Sequence, residues 1–125
     1  MPHRQILVID DENDIREVAQ LSLQLTESWT VWTANGGAAG TALALSAEPD
    51  AILLDVMMPD MDGPTTLRLL QQQGGTKTIP VIFLTAKVQA ADRHKFMQLG
   101  VRGIISKPFD PLTLGQQIRE MLAWG

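Results

Sequence analysis

Five short apolar runs punctuate the chain, each followed by a longer segment of mixed character. They are Ile6-Leu7-Val8-Ile9, Thr30-Val31-Trp32-Thr33-Ala34, Ala51-Ile52-Leu53-Leu54, Val81-Ile82-Phe83-Leu84 and Gly103-Ile104-Ile105. Continuous rather than alternating hydrophobicity marks strands buried on both faces, as in a parallel sheet. The second run is the most polar and reads as an edge strand. The segments between read as helices. Ile15, Val18, Ala19, Ser22 and Leu25 fall on one stripe of 3.6 period, with Arg16, Glu17 and Gln20 opposite. Residues 38–47 are rich in alanine and leucine, and Thr65–Gln73 carries Leu67, Leu69 and Leu70 before Gly74-Gly75 stops it. Ala90–Leu99 stops at Gly100. Asp110-Pro111 reads as an N-cap followed by proline in the first turn, opening a last helix through Ala123. Strand and helix alternating five times predict an α/β doubly wound sheet with helices on both faces, formed by residues 1–125 as one domain.

Composition narrows the chemistry. A chain of 125 residues buries roughly two-thirds of its unfolded surface and needs no staple to fold. It has no cysteine, which excludes disulfides, zinc-thiolate and iron–sulfur centres and a cysteine nucleophile. Its two histidines, His3 and His94, are far apart in sequence, which argues against a histidine-based metal site. No apolar run approaches the length of a membrane span, and no secretory signal is expected at the start; a cytoplasmic setting is the expectation. The net charge of −4 conceals an asymmetry: residues 1–64 carry eleven acids and two bases, and residues 65–125 three acids and eight bases. An acidic site built by the first half and a basic surface or anion contact in the second follow from that split. The acidic isoelectric point near 5.0 argues against direct nucleic-acid binding.

Ligands of open α/β sheets bind beyond the carboxyl ends of the strands. The first run is followed by Asp10-Asp11-Glu12, the third by Asp55, the fourth by Thr85-Ala86 and the fifth by Ser106-Lys107-Pro108-Phe109. Carboxylates, a hydroxyl and an ammonium therefore converge on one edge of the sheet. Crowded carboxylates repel unless a cation sits among them. Oxygen ligands without histidine or cysteine select a hard ion, Mg²⁺ or Mn²⁺. A lysine and a threonine beside such an ion suit the oxygens of a transferred phosphoryl group. Asp55, at the centre, is placed to attack phosphorus and become an aspartyl phosphate.

In these residues the chain resembles the receiver domain of two-component response regulators, the chemotaxis-Y-like proteins. The resemblance spans the whole chain. It rests on Asp10-Asp11, on Asp55 within Leu-Asp-Val-Met-Met-Pro-Asp-Met-Asp-Gly, on Thr85-Ala86 and on Lys107-Pro108-Phe109, in that order at strand ends. It implies a flavodoxin-like strand order, 2-1-3-4-5, which the hydrophobic pattern alone leaves open. It also implies that Asp55 takes phosphate from a histidine kinase or histidine phosphotransfer protein. Mg²⁺ would be held by Asp11, Asp55 and the backbone carbonyl of Met57, with Asp10 acting through water. Lys107 would bind phosphoryl oxygens, with a cis bond to Pro108, and Thr85 would move to report phosphorylation. Pro59 and Gly63 would serve the turn into the third helix. The position three before the lysine, often aromatic in the family, is Ile104 here, so the aromatic readout cannot operate as it does in those relatives. A downstream partner or a second copy would meet the last two helices and fifth strand, where Lys87, Arg93, Lys95, Arg102 and Arg119 lie or are simply solvated.

Blander readings apply elsewhere. Asp60 and Asp62 read as turn residues, and Trp29, Trp32 and Trp124 as packing residues. Gly74-Gly75-Thr76-Lys77-Thr78 precedes a strand and lacks phosphate-loop spacing. Rival functions are an aspartate-nucleophile phosphatase or dehalogenase, which would want an acid where Met57 stands, and an unphosphorylated receiver-like binding module, which would usually lose one of these polar residues. A flavodoxin would want a hydroxyl-rich loop where Asp10-Asp11-Glu12 stand. The expected role is that of a signalling domain that catalyses only its own phosphorylation and dephosphorylation.

Overall fold

The computed structural model describes residues 3–86 and 89–125; Lys87, assigned above to the basic surface, lies outside them. The apolar runs form β1 (Gln5–Ile9), β2 (Thr30–Ala34), β3 (Ala51–Asp55), β4 (Val81–Thr85) and β5 (Gly103–Ser106). Between and after them lie α1 (Asn13–Glu27), α2 (Gly37–Ala47), α3 (Gly63–Gln72), α4 (Ala90–Met97) and α5 (Leu114–Met121). All strand pairs are parallel, in the order β2-β1-β3-β4-β5, so the weakly apolar second run is an edge strand. The doubly wound α/β architecture with order 2-1-3-4-5 is thus the fold of the chain.

The strand pleat divides the core in two, because successive side chains point to opposite faces. Leu7, Ile9, Ile52, Leu54 and Phe83 meet Ala44 of α2, Leu67 and Leu70 of α3 and Phe96 of α4. Ile6, Val8, Leu53, Ile82, Leu84 and Ile105 meet Ala19 and Leu23 of α1 and Leu114, Ile118 and Leu122 at α5. Both faces are covered, which is why the strands read as unbroken apolar runs. The order also places β1 beside β3, so two acid-bearing strand ends adjoin at the middle of the sheet.

Several helices depart from the sequence pattern. On α1 the buried positions are Ala19, Ser22 and Leu23, whereas Val18 is 41% and Leu25 75% exposed. The helix is turned so that the Ser22 hydroxyl donates to the Pro111 carbonyl at 2.5 Å. Asp110 does not cap α5. Its Oδ1 accepts the Leu112 amide at 2.9 Å and its carbonyl the Thr113 and Leu114 amides, forming a turn ahead of the helix, whose N-cap is Thr113. At the other end α5 stops at Met121 rather than Ala123. Ala123 takes a φ of 56° while the Trp124 amide returns to the Arg119 carbonyl at 2.8 Å, a Schellman closure with alanine in the left-handed position. α4 ends at Met97, two residues before Leu99, and Gly100 supplies a φ of +96°.

Candidate phosphoryl-acceptor site

Asp10 directly follows β1 and is fully buried, and Asp55 is the last residue of β3 and 2% exposed. Asp11, next to Asp10, is exposed. Asp10, Asp11 and Asp55 each offer a carboxylate oxygen, all within 4.8 Å of one another. Lys107 follows β5, and its Nζ lies 2.9 Å from Asp10 Oδ2 and 3.2 Å from Asp55 Oδ1. Its amide donates to the Thr85 carbonyl at 2.9 Å, which extends the β4–β5 pairing and points the chain at the acids. The Lys107–Pro108 peptide is cis.

One ammonium does not satisfy this cluster. Asp55 Oδ1 also accepts the Met57 amide at 3.3 Å, but Asp55 Oδ2 is buried and has no hydrogen-bond partner among the described residues. Burial first, and then the charge of Asp10, push the Asp55 carboxyl up to about 7 against the opposing pull of Lys107. Burial disfavours the charge on Lys107, yet its hydrogen bonds and attraction to Asp10 and Asp55 prevail and hold its pKa above the ordinary value. Among the described residues the arrangement is short of positive charge, and an all-oxygen donor set fits a hard divalent cation.

The loops around the acids are fixed locally. Asp10 Oδ1 accepts the Glu12 amide at 2.8 Å, and the Arg16 guanidinium donates to the Asp10 carbonyl at 2.8 Å and to Asn13 Oδ1 at 2.9 Å. Arg16 read from sequence as part of the solvated side of α1; only the fold shows it bracing the acid loop. After β3, the Gly63 amide donates to the Val56 carbonyl at 2.8 Å and closes the 56–62 loop, in which Pro59 is exposed. A Cβ on Gly63 would lie 2.7 Å from the Asp55 carbonyl oxygen and 2.8 Å from Val56 Cα, so this close approach requires glycine.

Asp60 and Asp62 do more than turn the chain. Asp62 is the N-cap of α3, with Oδ1 accepting the Thr65 amide at 2.7 Å, and the Thr65 hydroxyl and amide hold its carboxyl below the usual range. With Pro64 in the first turn, this starts α3 at Gly63, earlier than the leucine pattern implied. Asp60 accepts the Gly37 and Ala38 amides, each at 3.4 Å. No local pattern announces that contact, since its partners lie 22 and 23 residues upstream.

Thr85 ends β4 and is buried, with an interaction of its own. Ile104 pairs with Phe83 across β4 and β5 and is packed in the core. Met57 is 61% exposed. Of the basic residues at the last helices, Arg93, Lys95 and Arg102 are exposed, whereas Arg119 is held by Glu27 at 2.8 Å. In the glycine-rich 74–78 segment, the Thr76 hydroxyl is buried and donates to the Leu70 carbonyl at 2.7 Å, closing α3 rather than facing a ligand. No helix among the described residues is long and apolar enough to cross a membrane.

Comparison with known proteins agrees with this fold. A family model described as the response regulator receiver domain matches residues 6–119. The DNA-binding dual master transcriptional regulator RpaA of Synechocystis is 35% identical over 118 residues, covering 94% of this chain and 48% of the relative. The response regulator PleD of Caulobacter vibrioides is 40% identical over 119 residues, covering 94% and 26%. The chain thus spans about half, or a quarter, of the length of these two curated relatives. Among solved structures, chemotaxis protein CheY4 of Vibrio cholerae superposes with a TM-score of 0.88 at 29% identity, over 96% of this chain and 99% of that one.

Proposed function

The chain belongs to the response regulator receiver domain family of two-component signalling, and from that premise we propose that Asp55 is its phosphoacceptor. The donor is a phosphohistidine on a partner kinase or phosphotransfer protein. A carboxylate oxygen of Asp55 forms the new O–P bond as the P–N bond to histidine breaks, and the electron pair leaves with the imidazole. The observation that carries this reading is Asp55 Oδ2: a buried carboxylate oxygen without a hydrogen-bond partner among the described residues, beside a lysine already shared by two acids.

Each neighbouring group has a role in this proposal. Asp11, Asp55 and the Met57 carbonyl would hold Mg²⁺, or Mn²⁺ in its place, with Asp10 contacting it through water. The ion would supply charge neutralisation for the transferred phosphoryl oxygens. Lys107 balances Asp10 and Asp55 at rest and turns to a phosphoryl oxygen afterwards. The Thr85 hydroxyl donates to another of those oxygens and thereby carries the signal. Ile104 has no polar handle, so the change spreads through Thr85 and the backbone toward α4, β5 and α5, where a downstream partner or second copy docks. The domain turns over no metabolite, its setting is the cytoplasm, and it contacts no nucleic acid itself.

Acetyl phosphate with Mg²⁺, followed by intact-mass spectrometry, tests the proposal. The wild type is expected to gain one phosphate, and neither the Asp55→Asn variant nor the wild type in EDTA is expected to gain any. Equal labelling of the Asn variant would refute the assignment. Sustained hydrolysis of phosphate esters would instead favour an aspartate-nucleophile phosphatase.

A further inference from the structure

Helix α2 lacks a cap of its own. Its N-cap residue is Gly36, which has no side chain to offer the first amides, and its first turn holds no acid. Those amides are met instead from the loop that follows the proposed phosphoacceptor. Asp60 Oδ1 accepts from Gly37 and Oδ2 from Ala38, and a carboxylate there also suits the positive end of the helix. Met61 packs against Gly37 beside it. The same loop, residues 56–62, carries Met57 three positions before Asp60, and Asp62 caps α3 at its far end. The loop is thus pinned at both ends and tethered between them by two long hydrogen bonds to a different helix.

We propose that Asp60 is a positioning residue for the metal site: by capping α2 it fixes the loop whose Met57 carbonyl would help hold Mg²⁺. The inference rests on the metal-binding part of the proposed function and extends it to a residue outside the acid cluster. Groups that orient metal ligands without touching the metal typically cost about tenfold or more in affinity when removed. Coupling is reciprocal, so Mg²⁺ that orders the loop must in turn protect the Gly37 and Ala38 amides.

The geometry supplies a control that separates tethering from simple capping. A Cβ on Gly36 would lie 2.8 Å from both Asp60 carboxylate oxygens, so a side chain there competes with Asp60 for one place. Gly36 has an extended backbone, φ −177° and ψ 173°, which any residue adopts. In a Gly36→Asp/Asp60→Ala double variant the carboxylate and the cap are both restored, but from α2 itself, and the loop is released.

The experiment measures Mg²⁺ affinity by calorimetric titration, stability by urea unfolding, and exchange of the Gly37 and Ala38 amides with and without Mg²⁺. Asp60→Ala is expected to lose stability and to bind Mg²⁺ about tenfold more weakly. The double variant is expected to recover stability and amide protection while staying about tenfold weaker, and its amides should no longer respond to Mg²⁺. Wild-type affinity in Asp60→Ala, or recovery of affinity together with stability in the double variant, overturns the proposal. Should Asp60→Ala fail to fold, Asp60→Asn keeps one acceptor oxygen, and unchanged affinity there overturns it equally. If the wild type itself binds no Mg²⁺, the metal site fails and the tether's role with it; if only the variants disagree, the functional reading stands.

Discussion

The two ends of the sheet treat charge in opposite ways. At the amino end of the strands several polar groups pair with one another and close the fold. Gln5 donates its amide to Asp50 Oδ2 at 2.7 Å and accepts the Trp32 indole N–H at 3.0 Å. Trp29 and Trp124 meet edge to face at 5.5 Å, with the Arg4 guanidinium 4.3 Å from the Trp124 ring centre, and Glu27 pairs with Arg119. At the carboxyl end two buried acids share one lysine, and a carboxylate oxygen has no hydrogen-bond partner among the described residues. One rim contributes stability to the fold. The other draws on that stability to keep a site that, on the proposed mechanism, a cation and a phosphoryl group complete. Buried charge without full compensation is costly, so its retention at a single edge is itself a mark of function.

The largest test of this contrast removes its one shared cation. Lys107→Ala is expected to slow phosphorylation by acetyl phosphate roughly 100-fold, the scale of losing a preorganised charge donor. Lys107→Arg should recover only part, since a planar fork does not replace a compact point charge. Wild-type rates in either variant, followed by the time course of mass gain, would remove Lys107 from the mechanism.

Next comes pH. The folded-state pKa of Asp55 lies at about 7, above the unfolded value near 3.8, so the folded chain holds this proton more tightly. The contribution of this group to metal-free stability is therefore fully present below the unfolded pKa and is lost as pH rises toward and through about 7. The raised pKa of Lys107 acts only at much higher pH and leaves this window alone. Urea unfolding in EDTA from pH 5 to 8.5 should show the decline, and Asp55→Asn should flatten it. A flat wild-type profile would mean that the acids are not crowded as described.

The opposite rim provides the complementary test. Trp124→Ala should cost about 2 kcal/mol of stability through lost aromatic burial and cation–π contact. It should leave the phosphorylation rate unchanged at a temperature where the variant is folded. A rate change would show that the two rims are coupled.

The smallest expected effect is the ion's own. At ten times its dissociation constant Mg²⁺ should add about 1.4 kcal/mol to stability. Asp11→Asn should shrink that increment and raise metal-free stability together, because one exposed carboxylate contributes to both. Melting curves at matched ionic strength measure the pair of quantities.

Which parts of this were legible beforehand follows from how far apart the interacting residues lie. The strands could be read because both faces of the sheet are buried, so each strand is apolar throughout. Asp10, Asp55, Thr85 and Lys107 stood out because each ends or follows such a run. Asp110-Pro111 misled because a short aspartate turn and a helix start use the same residues; the Leu112 amide decided between them. Val18 and Leu25 fit a helical stripe as well as Leu23 does, and the tie from Ser22 to Pro111 chose the face. Asp60 and Arg16 gave no signal, since the first serves a helix made earlier in the chain and the second braces a backbone carbonyl, which sequence does not display.

The strand order has a consequence for the timing of synthesis. The acids at Asp10 and Asp55 leave the ribosome in the first half of the chain, but the lysine between them comes from position 107, beyond β4 and β5. Until those last strands have joined the sheet, a nascent chain has Asp10 and Asp55 but not the lysine that pairs with both. On the proposed mechanism, competence to receive a phosphoryl group is acquired only when the sheet is complete, so half-made molecules cannot carry the signal.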